Sequence, residues 1–110
     1  MHTLPDIAPL PDYMVERIEE VFGLYFRSVL LEHAGLVIPQ HEHDHNHATY
    51  IGSGKARMWV DGAWVGDFEA GCVVPIEAKK KHVFQSLLPQ TRLACVHDIE
   101  SAKAVKRRGI

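Results

Sequence analysis

The sequence predicts an all-β fold in a single domain, an antiparallel sandwich or barrel with little helix. Two features of the chain support this prediction. The apolar runs are short and rich in Val, Ile, Phe, Trp and Thr, and glycine, proline and polar turn residues separate them at short intervals. The length of 110 residues suits one hydrophobic core and is too short for two ordinary domains. Short strands at this spacing are typical of antiparallel sandwiches and barrels.

Eight strands are predicted in chain order, over residues 25–31, 36–38, 47–51, 55–60, 64–68, 72–76, 82–87 and 91–96. The clearest local feature is a hairpin that joins the fourth and fifth of these strands. Asp61 and Gly62 lie at its tip, and this pair readily adopts the positive φ angles that a two-residue turn demands.

The two ends of the chain are less regular. In residues 14–22, three apolar side chains three residues apart are interspersed with three glutamates, a pattern that suits either one or two amphipathic helical turns or an edge strand. The sequence of residues 100–108 predicts a short helix or a frayed basic tail. We therefore expect one domain over residues 1–110, with its core in residues 24–98, an N-terminal arm in residues 1–14 and a C-terminal tail in residues 99–110.

Composition excludes several classes of partner. Fourteen acidic side chains against twelve basic ones leave no broad basic face for a phosphate backbone, so no nucleic acid is expected. No run reaches the roughly 18 apolar residues of a membrane span. The first ten residues lack a signal-peptide pattern, and two cysteines make no disulfide framework, so a cytoplasmic protein is expected. Cys72 and Cys95 are predicted to be small buried residues, with a redox role beside a metal as the alternative.

Histidine is the outlier, because four of the eight histidines fall within residues 41–47. In an extended strand His41 and His43 point to the same side, about 7 Å apart at their Cα atoms. His47 follows three polar residues suited to a turn, and His82 begins a distant apolar strand. These four imidazoles are candidate ligands for one metal ion. The alternative is a surface tract that binds metal adventitiously.

The spacing of these residues resembles the cupin superfamily. Its first motif is commonly written G-x5-H-x-H-x3-E-x6-G, and a histidine replaces the glutamate in the matching residues Gly35, His41, His43, His47 and Gly54. The second motif places a histidine eleven residues after a glycine, as Gly71 and His82 do. Two departures accompany these matches. Glu77 and Lys79 replace the usual proline and glycine before the second-motif histidine, and Ser86 replaces an asparagine after it.

The resemblance implies a double-stranded β-helix, or jelly-roll barrel, like that of small four-histidine cupins. It also implies one divalent transition metal per chain on His41, His43, His47 and His82. Manganese or iron is favoured, and nickel, copper or zinc are alternatives. An empty barrel site is the competing interpretation. Because cupins often dimerise through their sheets, a homodimer is expected, with Trp59, Trp64 and Phe68 facing outward toward a partner.

Alternation along the strands predicts which side chains surround the metal. Those on the same faces as His47 and His82 form a mostly apolar chamber or, alternatively, ordinary barrel core: Thr49, Ile51, Phe84 and Ser86. His45 is expected in a solvent-facing loop, and His2, His33 and His97 have no assigned role, although His97 could line a pocket mouth. The lysines at residues 79–81 form either a positive rim or a solvated loop.

Four neutral imidazoles leave a divalent ion its full charge, and a six-coordinate ion would keep two open positions. The favoured function is therefore a metal-dependent, dioxygenase-like enzyme acting on a small oxygen-bearing organic molecule. Alternatives are a noncatalytic metal- or small-molecule-binding module and a cupin isomerase or lyase. No catalytic residue other than the ligands can be named from the sequence.

Overall fold

A computed structural model describes residues 2–6, 15–40 and 46–98. The described residues form nine β-strands in two antiparallel sheets. In chain order these are β1 (Val15–Val21), β2 (Leu24–Leu31), β3 (Val37–Gln40), β4 (His47–Ser53), β5 (Lys55–Val60), β6 (Ala63–Glu69), β7 (Val73–Ile76), β8 (His82–Ser86) and β9 (Thr91–Asp98). The described part of the chain contains no helix that could cross a membrane.

The strand order explains how the two sheets enclose one core. The five-stranded sheet has the order β1-β2-β9-β4-β7, and the four-stranded sheet has the order β3-β8-β5-β6. Most neighbours within a sheet are distant in sequence, as in a jelly roll. The inner faces of both sheets contribute to one buried apolar cluster, which includes Val29, Leu31, Ile38, Ile51, Ala56, Met58, Val74, Ile76, Phe84 and Leu93. The predicted all-β, single-domain jelly roll is confirmed.

The eight predicted strands are all present, with ends that differ by only a few residues. The ambiguous segment at residues 14–22 contains the edge strand β1, which pairs along its whole length with β2. A tight turn with positive φ at Phe22 and Gly23 reverses the chain between them. The predicted helix or tail at residues 100–108 lies outside the described residues.

The hairpin predicted at Asp61 and Gly62 is confirmed. Both residues have positive φ, at 49° and 83°, and Val60 pairs with Ala63 across the turn. A register shift beside Met58 lengthens β6 relative to β5. The hairpin therefore begins as predicted and carries a bulge that the sequence did not indicate.

Two of the three aromatic residues predicted to face a partner are covered by their own chain. Trp59 is 1% exposed, and its indole nitrogen donates to the carbonyl oxygen of His2 at 2.9 Å. Phe68 is opposite Ala56 and packs against the core. The prediction is wrong for these two because it did not include cover by the N-terminal residues and the inward register of β6. Trp64 is 41% exposed.

Beside the tryptophans, Arg57 and Asp67 form a two-point ion pair on the outer face of the four-stranded sheet. The Arg57 Nε and Nη2 atoms donate to the two carboxylate oxygens at 2.8 and 2.9 Å. These hydrogen bonds lower the pKa of Asp67 to about 2. Trp64 donates to the same carboxylate at 3.1 Å, so the pair also fixes an indole ring.

Gly54 joins β4 to β5 where the chain passes very close to β9. Its φ is +74°, and an added Cβ would lie 2.7 Å from the Cα atom of Thr91.

We expect Gly54→Ala to lower the free energy of unfolding by about 1–2 kcal/mol because of the left-handed backbone, and by about 1–3 kcal/mol more because of steric strain. Urea unfolding measures the loss. Gly23→Ala is the matched control, since Gly23 has φ +79° and open space around it. Equal losses in both variants would contradict the close approach.

Candidate metal centre

His47 and His82 begin strands in different sheets and lie close together inside the barrel. His47 is the first residue of β4 in the five-stranded sheet, and His82 is the first residue of β8 in the four-stranded sheet. Strand alternation puts His47 on the same face as buried Thr49 and Ile51, and His82 on the same face as Phe84. The two histidines are 9% and 1% exposed.

The distance between these rings suits two ligands of one ion. The ring centroids of His47 and His82 are 5.3 Å apart, with an interplanar angle of 53°. Two imidazoles that bind one ion at about 2.1 Å place their ring centres about 4.6–5.3 Å apart at ligand angles of about 90–110°. Both rings also direct a nitrogen into a solvent-shielded position, Nδ1 in His47 and Nε2 in His82. These two residues fit a shared metal.

The protonation of His82 also suits metal binding. Its Nδ1 atom is 3.1 Å from the carbonyl oxygen of Lys80, which can only accept a hydrogen bond. The proton of the neutral ring therefore resides on Nδ1, and the lone pair resides on Nε2. Burial lowers the pKa of His82, which favours this neutral form. The ring thus has the tautomer and charge of a metal ligand.

Polar side chains fix the loop that leads into His82. The Asn46 side-chain oxygen accepts from the Ala78 amide at 2.7 Å, which ties this loop to the residue before His47. At the other end of the loop, Asp61 accepts from the Lys81 amide at 3.0 Å and donates its own amide to the Lys81 carbonyl. These bonds connect both candidate ligands to one loop, and no sequence pattern predicted this pairing.

One departure from the second cupin motif is Lys79, which replaces the usual glycine. It has φ +64°, a backbone conformation that favours the glycine usually present there and costs another residue about 1–2 kcal/mol. The loop therefore keeps a left-handed residue without its glycine. Among the neighbouring lysines, Lys80 lies 3.7 Å from the Asp61 carboxylate. This contact supports the solvated-loop interpretation for that side chain.

The other two predicted ligands, His41 and His43, lie outside the described residues, as does His45. The described chain leaves β3 at Gln40, which is the cross-strand partner of His82, and resumes at Asn46. Among the residues that the structure describes, no group of three or more His, Cys, Asp or Glu side chains is arranged to hold a metal. The four-histidine set therefore remains a prediction, with two of its members found together.

The four residues predicted to surround the metal are all buried, at 0–1% exposure: Thr49, Ile51, Phe84 and Ser86. Ile51 and Phe84 belong to the core cluster, and the Phe84 ring lies 6.5 Å from that of His82. Thr49 contacts the sulfur of Cys95 at 3.4 Å. Whether these side chains also touch a bound molecule stays a prediction.

The hydroxyl of Ser86 connects two parts of the backbone. It donates to the His33 carbonyl at 2.7 Å and accepts from the Leu36 amide at 3.0 Å. These bonds hold the connection between β2 and β3, at the end of β8 away from His82. The geometry gives Ser86 a structural role that its inward position alone does not reveal.

His97, for which the sequence offered only a position at a pocket mouth as the alternative to no role, lies beside the candidate centre. Its ring centroid is 6.2 Å from that of His47 and 4.9 Å from that of Tyr25. Alternation along β9 puts His97 on the same face as buried Thr91 and Leu93. The parity argument that selected the chamber residues on β4 and β8 would have found His97 if it had been applied to β9.

Comparison with solved structures agrees with this architecture. The chain resembles a cupin 2 conserved barrel domain protein from Salinispora arenicola at a TM-score of 0.68, with 18% identity over 96% of this chain and 98% of that one. The chain has the cupin fold. It also resembles KdgF from a Halomonas species at a TM-score of 0.65 and 19% identity, over 86% of this chain and 84% of that one.

A third similar cupin is the Cupin_2 domain of an XRE family transcriptional regulator from Enterobacter cloacae. The TM-score is 0.61, with 21% identity over 76% of this chain and 95% of that domain. No protein-family model and no curated protein matches the chain. At these identities the likeness establishes the cupin fold, while the function depends on the chain's own residues.

Replacing Ser86 tests whether its hydroxyl is structural. We expect Ser86→Ala to lower the free energy of unfolding by about 1–3 kcal/mol, because the Leu36 amide loses its acceptor in a partly buried position. Urea unfolding measures the change. Ser53→Ala is the control, since its hydroxyl donates to the Gln90 carbonyl in an exposed position and should contribute less. Unchanged stability in Ser86→Ala would refute the structural role.

Proposed function

We propose that this protein is a metal-binding cupin that holds one divalent transition metal through His41, His43, His47 and His82. The observation that carries the proposal is that His47 and His82, which belong to different sheets, are both buried with their ring centroids 5.3 Å apart. The Nδ1 contact of His82 adds to it, because it directs the lone pair to Nε2. His41 and His43 are included because their spacing matches the first cupin motif. Manganese and iron are the favoured metals.

We further propose that the centre supports a dioxygenase-like reaction on a small oxygen-bearing molecule. A divalent ion held by neutral imidazoles keeps its full charge and supplies Lewis acidity with open positions. The chain's own residues supply the surroundings. Ile51 and Phe84 exclude water below the histidines, and Thr49 adds a hydroxyl among these apolar groups. Such a chamber suits a compact molecule with one or two oxygen donors.

Metal binding is tested by removing one ligand at a time from untagged protein. We expect about one equivalent of manganese or iron in the wild type. In His82→Ala we expect an affinity loss that exceeds the roughly 10- to 100-fold cost of deleting an outer-shell partner. Elemental analysis and competition with a chelator measure both quantities. His33→Ala is the control, because His33 is exposed and lies at the opposite end of β2 from Tyr25. Equal metal content and affinity in His82→Ala would refute the proposed centre.

Catalysis is tested separately by oxygen consumption. Protein loaded anaerobically with Fe(II) or Mn(II) is mixed with oxygen and acetylacetone, catechol or cysteine in an oxygen electrode. We expect substrate-dependent consumption with at least one of these compounds, abolished in His82→Ala and retained in His33→Ala. A metal-loaded wild type that consumes no oxygen with any of them would contradict the oxygenase proposal and leave the metal centre standing.

A noncatalytic binding module is the second candidate. The similar cupin domain from Enterobacter cloacae belongs to a transcriptional regulator, which favours this candidate by analogy. Here the metal would anchor a small molecule or stiffen the barrel. Metal-dependent binding of a small molecule without oxygen consumption would support this function over catalysis.

A further inference from the structure

Tyr25 and His97 form a polar wall beside the candidate metal centre. The two residues are directly opposite each other on β2 and β9. Their ring centroids are 4.9 Å apart with an interplanar angle of 33°, so the rings lie partly face to face. Stacking of this kind restricts the orientation of the imidazole. Tyr25 therefore helps to position His97.

The wall lies next to His47 because β9 also pairs with β4. The register matches Ala48 with Val96, so His47 and His97 are neighbours one position further along the two strands. Their ring centroids are 6.2 Å apart, compared with 5.3 Å for His47 and His82. This separation exceeds the roughly 4.6–5.3 Å of two adjacent imidazole ligands on one ion. His97 therefore does not fit as a ligand next to His47 on the same ion, and its ring is a candidate contact for a molecule bound there.

His82, His47, His97 and Tyr25 form a row of neighbouring rings, and their exposure increases along it. His82 and His47 are buried, whereas His97 and Tyr25 are each only partly buried. The row therefore runs from the interior of the barrel toward solvent. A small molecule that binds the ion from the Tyr25 side would lie against His97.

The hydrogen bonding of His97 indicates what it offers to such a molecule. Its Nδ1 atom is 3.1 Å from the carbonyl oxygen of Asp98, which can only accept. The neutral ring thus has its proton on Nδ1 and its lone pair on Nε2. This nitrogen is an acceptor suited to a hydroxyl group, while the Tyr25 phenol both donates and accepts.

We propose that His97, positioned by Tyr25, accepts a hydrogen bond from the small molecule that binds at the metal centre. This inference rests on the proposed metal-binding function and narrows its ligand class. The ligand would carry two neighbouring oxygens, one directed to the ion and one present as a hydroxyl that donates to His97. Catechols and α-hydroxycarbonyl compounds have this arrangement.

The test uses 4-nitrocatechol as the probe, titrated anaerobically into full-length Fe(II)-loaded protein and followed by its visible absorption. We expect saturable binding in the wild type and a dissociation constant about three- to tenfold higher in His97→Leu, the effect of one lost hydrogen bond. His97→Gln should recover part of the affinity, because its side-chain oxygen accepts a hydrogen bond. Tyr25→Phe keeps the ring and should change the affinity less than His97→Leu. His33→Leu, an exposed histidine at the far end of β2, should bind as the wild type does.

Metal content, measured on the same samples, separates the outcomes. Full metal content with an unchanged dissociation constant in His97→Leu would overturn the inference and leave the proposed centre intact. Loss of metal in a folded His97→Leu would make His97 part of the coordination and would also overturn it. A metal-loaded wild type that does not bind 4-nitrocatechol would exclude catechols as ligands and would count against the inference. A wild type that binds no metal would refute the proposed function, and the inference with it. Should His97→Leu fail to fold, His97→Gln and Tyr25→Phe decide between these outcomes.

Discussion

The packing of two sheets against each other is the constraint on which the candidate site depends. His47 and His82 begin strands that belong to different sheets. Their approach therefore depends on the contacts between the inner faces, where Ile51 from one sheet and Phe84 from the other are completely buried. Burying such a side chain contributes about 1.5–3 kcal/mol. The apolar core thus determines how far apart the two imidazoles lie, and changes in that core would be felt at the centre.

Hydrogen bonds in the loop before His82 further restrict the positions of His47 and His82, which the apolar core brings together. Asn46 links the residue before His47 to the loop before His82, and Asp61 fixes the other end of that loop. The left-handed backbone at Lys79 belongs to the same loop and costs stability. A strained residue persists where the surrounding bonds determine its conformation. The loop is therefore held in the conformation that presents the Lys80 carbonyl to His82.

The two ends of the barrel carry different sets of polar side chains. Ser86 and Thr91 hold the end away from His82 through bonds to backbone carbonyls and amides. His47, His82 and His97 gather polar ring nitrogens at the other end, where Tyr25 also lies. Between the two ends lies the apolar core. The candidate functional residues lie at one end, while the hydroxyls of Ser86 and Thr91 at the other end are engaged in closing the connections between strands.

Sequence alone determined the strand pattern, the hairpin at Asp61 and the choice of His47 and His82, because alternation, turn chemistry and motif spacing are local properties of the chain. It left residues 14–22 open between helix and strand, since that choice depends on whether β2 offers an edge. Only the tertiary structure decided that Trp59 is covered by the N-terminal residues and that His97 stands beside His47. Parity along β9 can assign His97 to the inner face, but which residues lie beside Trp59 and His97 depends on contacts between segments far apart in sequence.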